Sequence, residues 1–217
     1  MKGKTVVITG SARKKNYNVV ISDLDKKNLD SAKDGLMDID SKGEVLAVVC
    51  DITHDKDIVN LISKSKKKFE SIDIWINNAG VNQPDKMIWE CSNEEIRRMI
   101  DIDLTSTMVA SKYIMEEMIK QGNGAIYMVE GHGSNDALIP GLSVYGTAKR
   151  GITYFAKALA HEAEVKEKDI IVGRLAPGIM ITDFLVNAFR DKKMELSEKN
   201  KKVYNILGDY PDVVAKY

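Results

Sequence analysis

The chain has 217 residues, of which 44% are hydrophobic and 29% charged, and its 32 basic and 32 acidic residues cancel. This composition excludes collagen-like, disordered and disulfide-stabilised proteins, and zero net charge gives no general attraction to nucleic acid or an anionic membrane. The two cysteines lack metal-ligand spacing, and no apolar run suits a signal peptide or a membrane span. We therefore expect one cytoplasmic domain over residues 1–217, without a metal site.

Short β-branched runs alternate with longer amphipathic segments along the chain. This alternation predicts an α/β fold with a parallel sheet covered by helices on both faces. The predicted strands are 5–9, 18–22, 44–50, 72–76, 125–129 and 169–176. The predicted helices are at about 25–39, 55–70, 93–120, 143–166 and 182–207.

The predicted helix over 93–120 carries an apolar stripe. Its members fall one or two helical turns apart, which indicates a face packed on the core. They are Ile96, Ile100, Leu104, Met108 and Met115. The lysine-rich run at 64–70 closes another predicted helix, where cations suit the helix dipole, so we interpret it as a solvated helix end rather than a nucleic-acid site.

Two local signals follow the first two predicted strands. Thr9-Gly10 ends the first strand, where a glycine lets the backbone turn sharply toward a phosphate. Asp23 follows the second strand, where a carboxylate could accept both hydroxyls of an adenosine ribose. Alone, Asp23 could equally be the N-cap of the next helix.

Small and amide residues follow the next two strands. Asp51-Ile52 comes after the third strand and Asn77-Asn78-Ala79-Gly80 after the fourth. The carboxyl ends of parallel strands meet at one edge of a sheet, so these residues would allow a flat ligand to approach there. The second segment by itself could also be a plain turn.

A tyrosine and a lysine stand four residues apart in a predicted helix, as Tyr145 and Lys149. At this spacing they share a helix face, and an ammonium beside a phenol favours the phenolate. Such a pair can exchange a proton with a substrate oxygen. Pro177-Gly178 and Thr182-Asp183 follow the sixth strand.

The order TG, D, DI, NNAG, YxxxK and PGxxxTD resembles the short-chain dehydrogenase/reductase family across essentially the whole chain. The resemblance implies a three-layer Rossmann fold with a doubly wound parallel sheet. It also implies hydride exchange between NAD or NADP and an alcohol or carbonyl compound.

The resemblance also implies roles for individual residues. Tyr145 would be the general acid/base, and Lys149 would hold the nicotinamide ribose and lower the tyrosine pKa. The remaining residues would line the dinucleotide: Thr9, Gly10, Arg13, Asp23, Asp51, Ile52, Asn78, Ala79, Gly80, Pro177, Gly178 and Thr182.

A narrower likeness is carried by IDIWINNAG, EGHGSND, YGTAKRGI and KKVYNILGDYPDVVAKY. These stretches resemble the chlorophyllide b reductase group and its bacterial relatives. Pigment reduction does not follow from them, because substrate choice depends on loops that vary freely.

The glycine loop departs from the family pattern TGxxxGxG, because TGSAR runs straight into KKNYNVVIS. Only eight residues separate Gly10 from Val19, whereas a parallel crossover needs about a dozen or more. We therefore expect the first βαβ crossover to be missing from the chain between about Arg13 and Lys14. We also expect a final strand to be missing after VVAKY.

Two catalytic positions of the family are also altered. The serine that polarises a substrate carbonyl would fall on His132, 13 residues before Tyr145, and the nearest hydroxyl is Ser134. Ser134 could take over, whereas His132 could be a plain loop residue or could carry protons. The family's relay asparagine falls on Asp103, which could preserve the relay in altered form or bond a neighbouring backbone group.

The cofactor preference has support on both sides. Asp23 would repel a 2′-phosphate and favours NAD, while Arg13 could pair with that phosphate and favours NADP; we lean toward NAD. The leading hypothesis is an NAD(P)-dependent oxidoreductase of a small carbonyl or alcohol substrate. The alternative is a nucleotide-binding scaffold that has lost catalysis. The resemblance further implies a homodimer or homotetramer.

Overall fold

The computed structural model describes residues 3–9, 17–37, 43–83, 86–166, 168–180 and 208–209. Its strands are β1 (Thr5–Thr9), β2 (Asn18–Asp23), β3 (Val45–Val49), β4 (Ile74–Asn77), β5 (Gly124–Val129), β6 (Ile170–Leu175), β7 (Ile179–Met180) and β8 (Gly208–Asp209). Its α-helices are α1 (Lys26–Met37), α2 (Asp55–Phe69), α3 (Asn93–Ile100), α4 (Ser106–Gln121) and α5 (Ser143–Val165). A short 3-10 helix spans Ile88–Glu90. The six predicted strands and the first four predicted helical regions are confirmed, while the predicted helix over 182–207 lies outside the described residues.

Six strands form one parallel sheet in the order β3-β2-β1-β4-β5-β6. The order reverses at β1, because the chain first builds outward to β3 and then returns to β4 on the other side. This doubly wound arrangement confirms the predicted α/β class. It also brings the ends of β1 and β4 together at the switch point, where open parallel sheets bind ligands.

β1 and β2 are parallel neighbours, with Thr5 opposite Asn18 and Thr9 opposite Ser22. The pairing therefore forms despite the short connection between them. The expected missing segment concerns Arg13 and Lys14, which lie outside the described residues, so that expectation stays a prediction.

The two faces of the sheet pack against different helices. The larger core cluster joins β1, β2, β4 and β5 to α2, α4 and α5 around fully buried Trp75 and Ile126. A smaller cluster joins β2 to α1 through Val19, Ile21 and Leu29. Alternate residues of β2 thus face opposite helix layers, as strands buried on both faces do.

The predicted helix over 93–120 is interrupted. A π-helical turn over Asp101–Thr105 separates α3 from α4. The extra residue in that turn shifts the periodicity, so the predicted stripe does not form one core face. Its five members are only half-buried, whereas α4 buries Ala110, Ile114 and Met118. Leu104 and Met115 of the predicted stripe still pack against the core while half-buried, so the prediction is confirmed only in part.

None of the helices in the described part of the chain is both long enough and apolar enough to cross a membrane.

Truncating Ile126 should test how tightly β5 packs against the helices that cover it. Ile126 has no exposed surface, so Ile126→Ala is expected to lower the free energy of unfolding by about 2–5 kcal/mol. Ile171 on the neighbouring strand is 60% exposed and gives a matched control, for which Ile171→Ala should cost well under about 1 kcal/mol. Urea unfolding of both variants measures the difference, and equal losses would contradict the packing described.

Candidate active site

Tyr145 and Lys149 lie one turn apart on α5, and both are buried, with 8% and 6% of their surface exposed. The Lys149 ammonium lies 5.5 Å from the centroid of the Tyr145 ring. Within the described part of the chain, neither the phenol oxygen nor the ammonium has a hydrogen-bond or ion-pair partner. Two buried polar groups without partners indicate a site prepared for a ligand.

Asp103 lies opposite this pair and is completely buried. The π-helical turn carries it inward, where its Oδ1 accepts a hydrogen bond from the Val81 N–H at 2.7 Å. Its Oδ2 has no hydrogen-bond partner among the described residues. Of the two alternatives for Asp103, a preserved relay or a bond to a neighbouring backbone group, the structure shows the backbone bond. The second carboxylate oxygen remains available for another contact.

Gly80, which follows β4, lies directly beside this site. A Cβ placed there would lie 3.2 Å from Asp103 Oδ1 and 3.7 Å from Lys149 Nζ. The glycine therefore allows the end of β4 to approach both charged groups closely. The prediction that Gly80 lines the dinucleotide site is supported by its closeness to Asp103 and Lys149.

Burial controls the protonation of all three groups. It raises the pKa of Asp103 to about 6, although the Lys149 charge and the Val81 N–H act in the opposite direction. It lowers the pKa of Lys149, an effect that the Asp103 charge opposes. It also raises the pKa of Tyr145, and the negative charge of Asp103 raises it further. The net shift of the Tyr145 pKa is upward, because burial and Asp103 set it, and the expectation that Lys149 lowers this pKa stays a prediction.

Removing the buried carboxylate should change how stability depends on pH. The pKa of Asp103 is raised from 3.8 to about 6, so the unfolded chain loses this proton at lower pH than the folded chain does. The free energy of unfolding of the wild type should therefore fall between about pH 4 and pH 7, by roughly 3 kcal/mol. Asp103→Asn lacks this titration, so its stability relative to wild type should rise over that window. Urea unfolding across the window measures this difference, and a difference independent of pH would contradict it.

The ends of β1 and β4 are joined through Thr9. Its Oγ1 accepts hydrogen bonds from the N–H groups of Asn78 and Ala79, both at 3.0 Å, and its carbonyl accepts one from Asn78 Nδ2 at 2.8 Å. These bonds fix the switch point of the sheet. Asn77 serves the core instead, since it accepts from Trp75 Nε1 and donates to Ser111 Oγ.

Asp23 lies at the end of β2, where its Oδ1 accepts a hydrogen bond from the Asp25 N–H at 2.8 Å. The N-cap of α1 is Asp25, because its Oδ1 accepts from the N–H groups of Lys27 and Asn28. The capping alternative for Asp23 was therefore wrong. Asp23 stands at the strand end that the ribose hypothesis requires.

Asp51 follows β3 and is held in a local turn. Its Oδ1 accepts from the hydroxyl and the N–H of Thr53, at 2.6 and 2.9 Å. The Thr53 hydroxyl is the main reason why the pKa of Asp51 lies below its usual range. Ile52 beside it is half-buried. Pro177 and Gly178 follow β6, and Gly178 has a φ of 77°.

The loop after β5 is fixed against α5 by two glycines. A Cβ on Gly131 would overlap the Tyr145 hydroxyl and lie 3.1 Å from Lys149 Cε. Gly133 has a φ of 96°, and a Cβ there would lie 2.6 Å from the Cα of Gly146. Beyond this contact the loop becomes exposed, and Leu138 is 95% exposed.

Ser134 is buried, and its hydroxyl bonds to the backbone. Oγ accepts from the Gly131 N–H at 3.2 Å and donates to the Lys149 carbonyl at 3.4 Å. His132 is exposed. The described contacts thus place Ser134 as a tie between the loop and α5, and its catalytic role stays a prediction.

The structure brings Tyr145, Lys149, Asp103 and Gly80 together, whereas Gly10, Arg13 and Thr182 lie outside the described residues. Sequence reasoning missed Gly131 and Val81. Gly131 could have been suspected from the sequence only because it is a glycine directly before the altered serine position. Val81 acts through its backbone N–H, so its side chain gives no sequence signal. Within the described residues, no group of three or more His, Cys, Asp or Glu side chains could hold a metal ion.

The sheet order, with a buried Tyr–Lys pair beside its switch point, defines a Rossmann-type fold. The chain belongs to the short-chain dehydrogenase family, since the family model described as short chain dehydrogenase matches residues 4–193. Members of this family use NAD or NADP.

Similar proteins include the chloroplastic chlorophyll(ide) b reductase of Arabidopsis thaliana, which is 30% identical over 98% of this chain and 63% of its own length. The chain thus spans less than two thirds of that relative. Carbonyl reductase family member 4 of Xenopus tropicalis is 29% identical over 82% of this chain and 71% of its own length. The solved structure of levodione reductase superposes with a TM-score of 0.86 at 20% identity, over 98% of this chain and 88% of that one, and supports the fold.

Proposed function

We propose that this chain is an NAD(P)-dependent oxidoreductase that interconverts an alcohol and a ketone or aldehyde. The observation that carries the proposal is the convergence of the buried Tyr145 and Lys149 side chains beside Gly80 and Asp103, where neither the phenol nor the ammonium bonds to another described residue. A structural tyrosine in this position would have a bonded hydroxyl. The reductase and carbonyl reductase named among similar proteins act in the same class of chemistry.

The residues present fit a dinucleotide along the carboxyl edge of the sheet. Gly80 leaves space that a side chain would fill. The Lys149 ammonium, which bonds to none of the described residues, could donate to ribose hydroxyls. Asp23 would accept from the other ribose, and Pro177 and Gly178 would adjoin the carboxamide. The bound cofactor would supply or accept the hydride.

Tyr145 would supply the proton. Because burial and Asp103 raise its pKa, the phenol keeps its proton at neutral pH. A protonated phenol can donate to the oxygen of a carbonyl as negative charge develops there. The protonated phenol is the form that the reduction of a carbonyl compound requires.

The alternative function is a nucleotide-binding scaffold without turnover. It is favoured by the hydroxyl of Ser134, which bonds to backbone groups, and by the exposure of His132. In this arrangement neither the Ser134 hydroxyl nor the His132 ring is placed to donate a hydrogen bond to a substrate carbonyl. The Tyr145 hydroxyl, which bonds to none of the described residues, argues for catalysis, because a scaffold does not need such a group.

A panel of carbonyl compounds tested with NADH and NADPH separates the two functions. Loss of nicotinamide absorbance with at least one compound supports the reductase. The cofactor that gives the higher turnover rate decides between NAD, which Asp23 favours, and NADP. Tight dinucleotide binding without turnover of any compound would instead support the scaffold.

A homo-oligomer belongs to the same proposal. α5 exposes 76% of Tyr154, and α4 exposes 42% of Ile119, which leaves apolar surface for a second copy. Sedimentation velocity should give a dimer or tetramer, and a monomer at micromolar concentration would contradict it.

A further inference from the structure

We propose that Gln83 is a positioning residue that fixes the start of α5 and thereby the Tyr145 phenol, a role that rests on the proposed function. Gln83 lies three residues beyond Gly80 and is only 3% exposed. Its Oε1 accepts hydrogen bonds from the N–H groups of Val144 and Tyr145, at 3.0 and 3.1 Å. One amide oxygen thus holds the backbone of the proposed acid/base itself.

The first turn of α5 needs this acceptor. The first N–H groups of a helix have no partner within the helix, and a polar N-cap side chain usually accepts one of them. Here the N-cap is Leu142, which makes no side-chain cap. The Gly146 N–H already bonds to the Leu142 carbonyl at 2.8 Å. Gln83 therefore caps the helix from a segment 61 residues away in sequence.

The other end of the amide fixes Gln83 itself. Its Nε2 donates to the Lys86 carbonyl at 3.2 Å and contacts Cys91 Sγ at 3.9 Å. These contacts orient the amide so that its oxygen faces α5. The Val81 N–H in the same segment bonds to Asp103. The segment after β4 thus holds Tyr145 on one side and Asp103 on the other, and sets the distance between them.

A small displacement at this cap should affect catalysis more than binding. Lys149 lies a full turn further along α5 and is also held by the Ser134 contact to its carbonyl. The phenol depends directly on the first turn, and a shift of about 1 Å in a reacting group can lower the rate by about a hundredfold. Loss of the cap should therefore reduce kcat while dinucleotide affinity is retained.

The test compares Gln83→Met with a matched control, Gln121→Met. Gln121 makes the same kind of bonds at the opposite edge of the sheet, where its amide accepts from the Ile72 N–H and donates to the Ile72 carbonyl, both at 3.2 Å. Gln83→Met should lower kcat between about ten- and a hundredfold, with KM for the dinucleotide changed less than about twofold. Gln121→Met should leave kcat unchanged.

A conservative variant separates positioning from a general loss of structure. Gln83→Glu keeps an oxygen that can accept from both N–H groups, and a carboxylate suits a helix N-terminus. It should recover at least about a third of the wild-type kcat. Equal kcat in Gln83→Met and wild type, or equal losses in Gln83→Met and Gln121→Met, would overturn the proposal.

Amide hydrogen exchange gives a readout that does not need turnover. The Val144 and Tyr145 amides should be protected in the wild type and in Gln83→Glu, and should exchange at least about tenfold faster in Gln83→Met. Unchanged protection would refute the cap. Changed protection in a chain that turns over no carbonyl compound would keep the cap and reject the proposed function, so the two failures are distinguishable.

Discussion

Replacing Tyr145 by phenylalanine is expected to lower turnover by at least about a hundredfold. Phe fills the same space but cannot supply a proton, and acid/base groups typically contribute about 100- to 10,000-fold. Because the Tyr145 hydroxyl makes no hydrogen bond within the described residues, Tyr145→Phe should fold with nearly wild-type stability. Steady-state kinetics and dinucleotide titration measure the two effects, and binding should be unchanged.

Tyr154 provides the matched control for this variant. It lies on the same helix but is 76% exposed, so Tyr154→Phe should keep wild-type turnover. Wild-type turnover in Tyr145→Phe would refute the acid/base role. A loss in both variants would point to a general effect on α5.

Adding one methyl group at Gly131 should lower turnover almost as much as Tyr145→Phe does. A Cβ there overlaps the Tyr145 hydroxyl and lies 3.1 and 3.2 Å from Lys149 Cε and Cδ, so both side chains must move. The backbone of Gly131 does not require a positive φ, and alanine is therefore not strained there. Gly131→Ala should fold but lose about a hundredfold in turnover.

The control for this glycine is Gly35 in α1, where an added Cβ meets nothing within 4 Å. Gly35→Ala should keep full turnover and gain about 0.5–1 kcal/mol of stability, because alanine favours a helix. Thermal unfolding and kinetics on both variants give the comparison. Full turnover in Gly131→Ala would mean that the phenol does not occupy the position described.

Much of the arrangement could be predicted from the sequence, because it depends on local spacing. Strands of continuous apolar residues ended in Gly, Asn or Asp, and a parallel sheet brings such ends to one edge. Tyr145 and Lys149 share a helix face simply because they are four residues apart. These signals require no knowledge of how the helices pack.

What could not be predicted depends on contacts between distant segments. The π-helical turn that buries Asp103 leaves no apolar pattern of its own, since one extra residue merely shifts the periodicity. Nothing in the local sequence distinguishes Gln83 from other polar residues, because its role depends on bonds to the distant Val144 and Tyr145. The pKa of Tyr145 depends on burial and on Asp103, neither of which local spacing reveals.

The contact between Gly133 and Gly146 divides the loop after β5 into two parts with different tolerance to change. In the first part, Gly133 lies against the backbone of Gly146, and a Cβ on Gly131 would overlap the Tyr145 hydroxyl, so a side chain at either glycine would displace atoms of α5. Beyond it, Asp136 still forms an ion pair with Arg150 of α5, whereas Leu138 is 95% exposed to solvent. Directed evolution toward new substrates should therefore concentrate its libraries on 137–140, where sequence can diverge while the reactive groups stay in place.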